Sequence, residues 1–210
     1  MLPARDTVTS HARARQRGRA LLRANVLEAA SRLLVHTGPE ALTVRRLAHE
    51  LDCSTKVVYT LFSGKDGVAE ALYLEGCQRL RRAVGRVAVA DEPLTYLDGV
   101  AQAYWRFALA NPSYYAVMFG GAIPNFRPKM SALQETANAF VAVVNVIGEY
   151  ADSGALVVAD PGVLVKRLWA PLHGVVSLHL LGHFATRAEA EYVYRTTLRA
   201  LLETLRTERH

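Results

Sequence analysis

The sequence predicts an all-α protein in which a small N-terminal three-helix unit precedes a larger helical C-terminal domain. Apolar residues recur every three or four positions through most of the 210 residues, which is the spacing of an amphipathic helix. Breaks such as Gly38-Pro39 fall between these periodic segments. Basic residues are unevenly divided, since residues 1–65 hold 11 lysines and arginines against 5 acidic residues, whereas residues 66–210 hold 14 of each.

Length and cysteine content favour a reduced globular protein. The chain is long enough to bury a core without disulfides. Cys53 and Cys77 fall in separate segments without metal-site spacing, so we expect free thiols and a cytoplasmic location. No apolar stretch follows the basic residues up to Arg23, so we expect no signal peptide. Pro171 and three histidines interrupt the most apolar run, residues 168–184, so we expect a buried or interface helix there and no membrane partner.

The N-terminal segment divides into an arm and a helix. Residues 1 to about 18 show no periodicity, so we expect a flexible basic arm. A first helix is expected from about Arg19 to Thr37, followed by a stop at Gly38-Pro39. Its apolar stripe consists of Leu22, Val26, Ala30 and Leu33.

Two short helices joined by a tight turn follow. Thr43 is a suitable N-cap for the first, whose apolar residues share one face. These are Val44, Leu47, Ala48 and Leu51. Asp52 and Cys53 break the pattern, and Ser54 is the expected N-cap of a second helix that runs to about Thr60. This arrangement is a helix-turn-helix.

The second helix has an inward face and an outward one. Val58 and Phe62 lie four apart and face inward, whereas polar, aromatic and cationic residues face outward, as a DNA major groove and its phosphate walls require. Ser63 and Asp66 are expected to form a capping box that opens a third helix, and Lys65 in its first turn is placed to bind a phosphate. The candidate DNA-binding residues are Thr43, Ser54, Thr55, Lys56, Tyr59, Thr60 and Lys65.

The charge distribution agrees with this placement. The whole formal excess of +6 lies in residues 1–65, which is the electrostatic footprint of a nucleic-acid-binding module. The alternative is a solvated basic tail, because five arginines are crowded into residues 13–23. The adjacent helix-turn-helix favours DNA contact.

Residues 42–65, LTVRRLAHELDCSTKVVYTLFSGK, resemble the DNA-binding segment of the TetR family of transcriptional regulators. The residues that carry the resemblance are Thr43, Val44, Leu47, Ala48, Ser54, Tyr59, Phe62 and Lys65. The family usually has Gly in the turn where this chain has Asp52. Asp tolerates left-handed backbone better than most residues, so we expect the turn to be kept.

The sequence predicts helices throughout the remaining chain. The helix opened at Ser63 is expected to run to about Ala88 and to join the two domains, with its arginines on a solvated face: Arg79, Arg81, Arg82 and Arg86. A helix ending near Ala110 and a shorter one, NPSYYAVMFG, follow, and then a loop at residues 122–128. Three more helices are expected, at about 129–150, 163–184 and 187–206.

The last two helices are unusually apolar, which predicts self-association through a four-helix bundle of two protomers. The alternative is a core within one protomer. The candidate interface residues are Leu178, Leu181, Leu198, Leu201 and Leu205. A dimer also suits palindromic operators, because two-fold proteins read half-sites separated by helical turns.

The C-terminal half resembles the TetR-type domain named for a Trp-His-Gly signature, here Trp169, His173 and Gly174 within WAPLHGVVSLHLLGHF. That resemblance implies a helical, dimerising domain with an inducer pocket. Aromatic residues and a Met with one polar group suit an apolar or aromatic effector. The candidates are Trp105, Tyr115, Met118, Phe119, Phe126, Trp169 and His173, although each taken singly also fits an ordinary core, and Tyr104 fits either role.

A metal-responsive regulator or a metal-dependent enzyme is the alternative function, because His179 and His183 lie four apart after His173. No acidic residue lies between them to act as a base, and the chain has no Gly-x-Ser-x-Gly elbow, so we expect no enzyme, no bound metal and no cofactor. A nonspecific DNA-compacting protein fits the charge but not so large a neutral second domain.

The sequence therefore predicts a dimeric repressor. It would bind a double-stranded DNA operator and be released by a small molecule. The expected division is an arm at residues 1–18, a DNA-binding domain at 19–66, and an effector and dimerisation domain at 67–210.

Overall fold

A computed structural model describes residues 5–207 of the chain, with side chains for residues 12–206. All regular elements in this part are helical, which confirms the predicted fold class. They are α1 (Arg5–Thr37), a 3₁₀ turn (Pro39–Ala41), α2 (Val44–Glu50), α3 (Thr55–Phe62), α4 (Lys65–Val84), α5 (Pro93–Ala110), α6 (Pro112–Phe119), α7 (Met130–Asn138), α8 (Val141–Asp152), α9 (Pro161–Leu180) and α10 (Arg187–Thr207). No helix in residues 5–207 has the length and apolar character needed to cross a bilayer.

The helix-turn-helix consists of α2 and α3, with α1 packed behind α2 and α4 against α3. Val26, Leu47 and Val58 meet in its fully buried centre. The Thr43 hydroxyl caps α2 by accepting a hydrogen bond from the Arg46 backbone N–H at 3.2 Å, as predicted. Asp52 has the left-handed backbone that we expected of it, with φ of 47°.

The first helix begins at Arg5, not near Arg19. Residues 5–18 are therefore helical where we expected a flexible arm, and residues 1–4 lie outside the described part. The side chains of residues 12–21 are exposed, so no apolar stripe marks this segment. Ala and Arg have high helix propensity and extend the helix without burial. The domain boundaries at residues 18 and 66 stay predictions.

The predicted capping box at the start of α4 is wrong. Ser63 has left-handed backbone, with φ of 61°, and ends α3, because its N–H bonds the Tyr59 carbonyl oxygen at 2.8 Å. Gly64 takes the N-cap position of α4, without a side-chain hydrogen bond. The helix then ends at Val84, before the expected Ala88. Two consecutive residues with positive φ, Ser63 and Gly64, therefore form the corner between α3 and α4.

Arg79 of α4 joins three helices instead of lying on a solvated face. Its guanidinium bonds Glu75 of the same helix at 2.9 Å, Glu28 of α1, and the Asn111 side chain that precedes α6 at 3.0 Å. It also lies 4.2 Å from the ring centroid of Tyr114. The side chains of Arg79 and Glu75 are 29% and 23% exposed, so this pair is partly shielded from solvent, whereas Glu28 is 47% exposed.

We expect Arg79→Met to lower the free energy of unfolding by about 2–3 kcal/mol, because it leaves charged partners without their hydrogen bonds. Arg82→Met is the matched control. Arg82 also bonds Glu75, at 3.0 Å, but is 49% exposed, so its loss should cost less than about 1 kcal/mol. Urea denaturation of both variants measures the difference. Equal losses of unfolding free energy in the two variants would show that the contacts of Arg79 with α1 and Asn111 add no stability.

The helix expected at 129–150 is two helices. The break at Ala139 and Phe140 lets α7 pack against α4 and α8 against α9. Thr136 of α7 bonds the Tyr73 hydroxyl at 2.7 Å, whereas Ile147 of α8 is fully buried. The sequence contains no Gly or Pro at this point, so its continuous helical spacing did not show the break.

Candidate nucleic-acid interface and effector site

The predicted DNA-binding residues form an open surface on the helix-turn-helix. Six of them are exposed, and Lys65 is half-buried. Ser54 precedes α3 with extended backbone, and its hydroxyl makes no capping hydrogen bond. The Thr60 hydroxyl donates to the Lys56 carbonyl oxygen at 2.8 Å, and Tyr59 is 56% exposed. The outward face of α3 is therefore free for a partner.

Lys65 is the first residue of α4, whose N-terminus has no side-chain cap. The first N–H groups of a helix and its dipole attract anions. This arrangement is suited to a phosphate of the DNA backbone.

Two arginines of α1 extend this basic surface, although the sequence did not assign them individually. Arg23 donates from Nη1 to the Leu61 carbonyl oxygen at 3.0 Å and lies 4.5 Å from the Phe62 ring centroid. Arg19 lines the groove between α1 and α3 together with Lys56. The arginines are four residues apart, and this spacing is the sequence signal that places them on one helix face.

The candidate effector residues divide among three places. Four of them are in contact where α6 meets α9, with ring centroids 4.9–5.7 Å apart: Tyr115, Phe119, Trp169 and His173. Trp105 instead stacks on His179 at 5.6 Å and packs on Tyr194 at 4.7 Å. Met118 lies against Gly76 of α4, and Phe126 packs on Tyr73. The last three therefore act as ordinary core residues in this structure.

A polar network lies within the α6–α9 cluster. The Tyr115 hydroxyl is 2.5 Å from His173 Nδ1 and 3.0 Å from the Tyr104 hydroxyl. Burial raises the pKa of both tyrosines and lowers the pKa of the histidine, so all three are neutral near pH 7. The Tyr104 hydroxyl also lies 3.2 Å from His173 Nδ1, and the other ring nitrogen, Nε2, is 3.4 Å from the Ser177 hydroxyl.

An apolar cleft between α5, α8, α9 and α10 adjoins this network. A water-sized sphere finds only about 40 Å³ of room inside it, so a small-molecule effector would have to part the helices to enter. Tyr104 and Trp169 are the lining residues whose side chains contain a polar atom, and the others, such as Leu97, Val143 and Leu198, are aliphatic or aromatic. Of the seven candidates only Trp169 lines the cleft. The sequence could not show which aliphatic residues surround it, because they have the same helical spacing as core residues.

The candidate dimer residues are not all on the surface. Leu181 is 74% exposed and Leu178 is 45% exposed, while Leu201 is half-buried. Leu198 and Leu205 are buried against the protomer's own helices. Assigning these two to an interface is therefore wrong for this structure, because they have no free surface to offer a partner.

The three histidines do not come together. His173 bonds Tyr115, His179 stacks on Trp105, and His183 lies exposed beyond α9. Among the residues described, no three His, Cys, Asp or Glu side chains group as metal ligands would. The geometry thus gives no support to the metal-dependent alternative.

Two family models match the chain. One, described as "Bacterial regulatory proteins, tetR family", matches residues 26–72. The other, "Tetracyclin repressor-like, C-terminal domain", matches residues 97–201, which is half of the chain. The chain belongs to the TetR family. The second TetR match includes Trp169 and His173, so the α6–α9 cluster lies in the family's C-terminal domain.

Curated relatives are also transcriptional regulators by name. HTH-type transcriptional regulator Rv1816 of Mycobacterium tuberculosis is 26% identical over 115 residues, 53% of this chain and 49% of that protein. The chain thus spans about half the length of the curated relatives it matches.

Solved structures share the fold. A protein with unknown function from Rhodococcus sp. RHA1 superposes with a TM-score of 0.74 at 23% identity, over 88% of this chain and 95% of that one. The TetR family transcriptional regulator PfmR from Thermus thermophilus does so with a TM-score of 0.65 at 19% identity, over 85% and 97%.

Proposed function

We propose that this TetR-family protein is a DNA-binding repressor that reads a palindromic operator as a homodimer and is released by a small apolar or aromatic effector. The observation that carries the proposal is the exposed outward face of α3, flanked by Lys65 and the arginines of α1. Phosphate contacts from the basic residues supply most of the affinity, and α3 supplies sequence choice.

Within this interface the residues have different tasks. Tyr59 and Lys65 position the protein on phosphates, whereas Thr55, Lys56 and Thr60 lie nearest the base edges. The position of Lys65 at the α4 N-terminus supports its role at a phosphate, and the exposure of the other residues along α3 leaves them available to DNA.

The effector acts through α6 and α4. Tyr115 of α6 faces His173, while Tyr114 and Met118 of the same helix pack on α4 at Arg79 and Gly76. A ligand beside Tyr104 therefore displaces α6, and α6 in turn shifts α4. Because α4 begins at Lys65, directly after α3, this shift changes the position of the helix-turn-helix. A hundredfold loss of operator affinity requires about 2.7 kcal/mol of coupling, and operator DNA must weaken effector binding equally.

We also propose that the protein acts in the cytoplasm by binding and not by catalysis, without a metal or cofactor. The neutral Tyr104–Tyr115–His173 network supports this proposal, because its groups satisfy one another and present no activated nucleophile.

The experiment that tests the function begins with selecting an operator from random DNA. We expect Lys65→Ala to weaken binding to every sequence and to reduce the salt slope of log Kd by about two units, since each protomer of the dimer loses one phosphate contact. Lys56→Ala should instead change which sequences are selected. Lys166→Ala is the matched control, because Lys166 is exposed on α9 far along the chain from α3. Failure to select any sequence, or an unchanged affinity and slope for Lys65→Ala, would contradict the assignment.

A further inference from the structure

The N-terminal part of α1 carries a dense group of cations that its own sequence leaves unbalanced. Five arginines lie within residues 13–23, all of them exposed, and the chain has no Asp or Glu from residue 7 to residue 27. Several of these arginines are four residues apart, and like charges at this spacing destabilise a helix. The pairs are Arg13 and Arg17, Arg15 and Arg19, and Arg19 and Arg23. A polyanion bound along the helix would remove this repulsion.

The five arginines lie on two sides of α1. Arg15, Arg19 and Arg23 follow one another at intervals of four residues and therefore share one face, which we call the arginine row. Arg13 and Arg17 each stand two positions before a member of this row. Two positions correspond to a rotation of about 200° around the helix, so these two residues form a rear pair on the other side.

The arginine row lies on the side of α1 that meets α3. Arg23 bonds the Leu61 carbonyl oxygen at 3.0 Å, so this face of α1 is turned toward α3. Arg19 lines the groove between the two helices together with Lys56, whose exposed side chain is a candidate for DNA contact. Arg15 lies about 6 Å beyond Arg19 along the helix axis, on the same face and outside the groove. The row therefore continues the basic surface of α3 beyond the helix-turn-helix.

We propose that residues 5–18 of α1 lie along the DNA backbone outside the bases read by α3, where Arg15 and Arg19 bind phosphates. This segment is about 20 Å long, which equals about six base pairs at ~3.4 Å each. Phosphate contacts carry no sequence information, so the segment adds affinity and fixes the position of the protein without adding base choice. This inference rests on the proposed operator binding and adds the DNA on either side of the operator to the contact surface.

Two double variants with the same change in charge test the assignment: Arg15→Gln/Arg19→Gln in the row and Arg13→Gln/Arg17→Gln in the rear pair, which is the matched control. The DNA is the selected operator with about ten base pairs of added duplex at each end. We expect the row variant to bind at least about tenfold more weakly and to reduce the salt slope of log Kd by about 3.6 units, because each protomer loses two phosphate contacts. The control should change the slope by at most about one unit. Equal effects of the two variants would show that only net charge matters and would overturn the proposal.

Duplex length and backbone protection locate the contact. The wild type should bind the extended duplex about tenfold tighter than the operator core alone, whatever the sequence of the added ends. The row variant should lose this gain and the control should keep it. Hydroxyl radicals, which cut exposed DNA backbone, should reveal protection up to about six base pairs outside the core in the wild type. Protection confined to the core, or equal affinity for the two duplexes, would contradict the proposed contact.

Measurements on a duplex of unrelated sequence separate this inference from the proposed function. Nonspecific binding rests on phosphate contacts, so the row variant should lose more salt slope than the control there as well. If no operator can be selected, the proposed function fails, and the difference between the variants on unrelated DNA still decides the role of the row. If an operator is selected but both variants bind it alike, the inference fails and the proposed function stands. All four substituted arginines are exposed, so both variants should unfold in urea at the wild-type midpoint.

Discussion

The Gly67→Ala variant is expected to lose at least about 3 kcal/mol of folding free energy, a cost at the upper end of overpacking effects. Gly67 is the third residue of α4, and a Cβ there would lie 1.5 Å from the Phe62 carbonyl oxygen. Because that neighbour is backbone, no side-chain rotation can relieve the clash. The ends of α3 and α4 must separate instead, which disturbs Phe62 and the Arg23 guanidinium packed on its ring.

Gly148→Ala is the matched control, since Gly148 is also inside a helix but a Cβ there would meet nothing within 4 Å. It should be neutral or slightly stabilising, because Ala has the higher helix propensity. Thermal unfolding should show a melting temperature about 6–12 °C lower for Gly67→Ala than for the wild type. Operator affinity should fall as well. Similar melting temperatures for the two variants would show that α3 and α4 are not held this closely.

Elements with an apolar stripe and a cap were predictable from the sequence. The capped start of α2 at Thr43 and the left-handed Asp52 follow from the properties of single residues, so both were predicted correctly. The continuation of α1 to Arg5 and the break before Val141 were missed. The N-terminal extension of α1 has no buried face and so leaves no apolar pattern. The break before Val141 arises because α7 and α8 pack against different helices, and a single sequence does not show such packing.

The candidate site was predictable only as a group of residue types. Tyr115, Phe119, Trp169 and His173 do meet, but which face of each helix turns inward depends on helix crossing. Trp105 looks equivalent in sequence, yet it packs against α10. The apolar cleft itself is formed by four helices that are distant in sequence, so no local pattern predicts it.

Leu181→Glu is expected to split the proposed dimer and to weaken operator binding by about a hundredfold or more. Leu181 is 74% exposed, and Leu178 and Tyr192 on α9 and α10 are also exposed apolar residues, so this face is available to a second protomer. In a two-fold dimer the substitution appears on both protomers. Two uncompensated charges would then enter the interface at several kcal/mol each. Without the dimer, the two helix-turn-helix units no longer bind the operator as one unit, and the gain from linkage, about 10²–10⁴, is lost.

The fold of the single protomer should not change, because an exposed residue accepts a charge at a cost within about 0.5 kcal/mol. Val89→Glu is the matched control: Val89 is a 59% exposed apolar residue between α4 and α5, and the chemical change is similar. Light scattering at micromolar concentration should give a dimer for the wild type and for Val89→Glu, and a monomer for Leu181→Glu. At a dilution where Val89→Glu is also monomeric, unfolding in urea should give similar midpoints for the two variants. A monomeric wild type, or a Leu181→Glu dimer of undiminished stability, would rule out this face as the interface, and the operator would then have to be read by a different assembly.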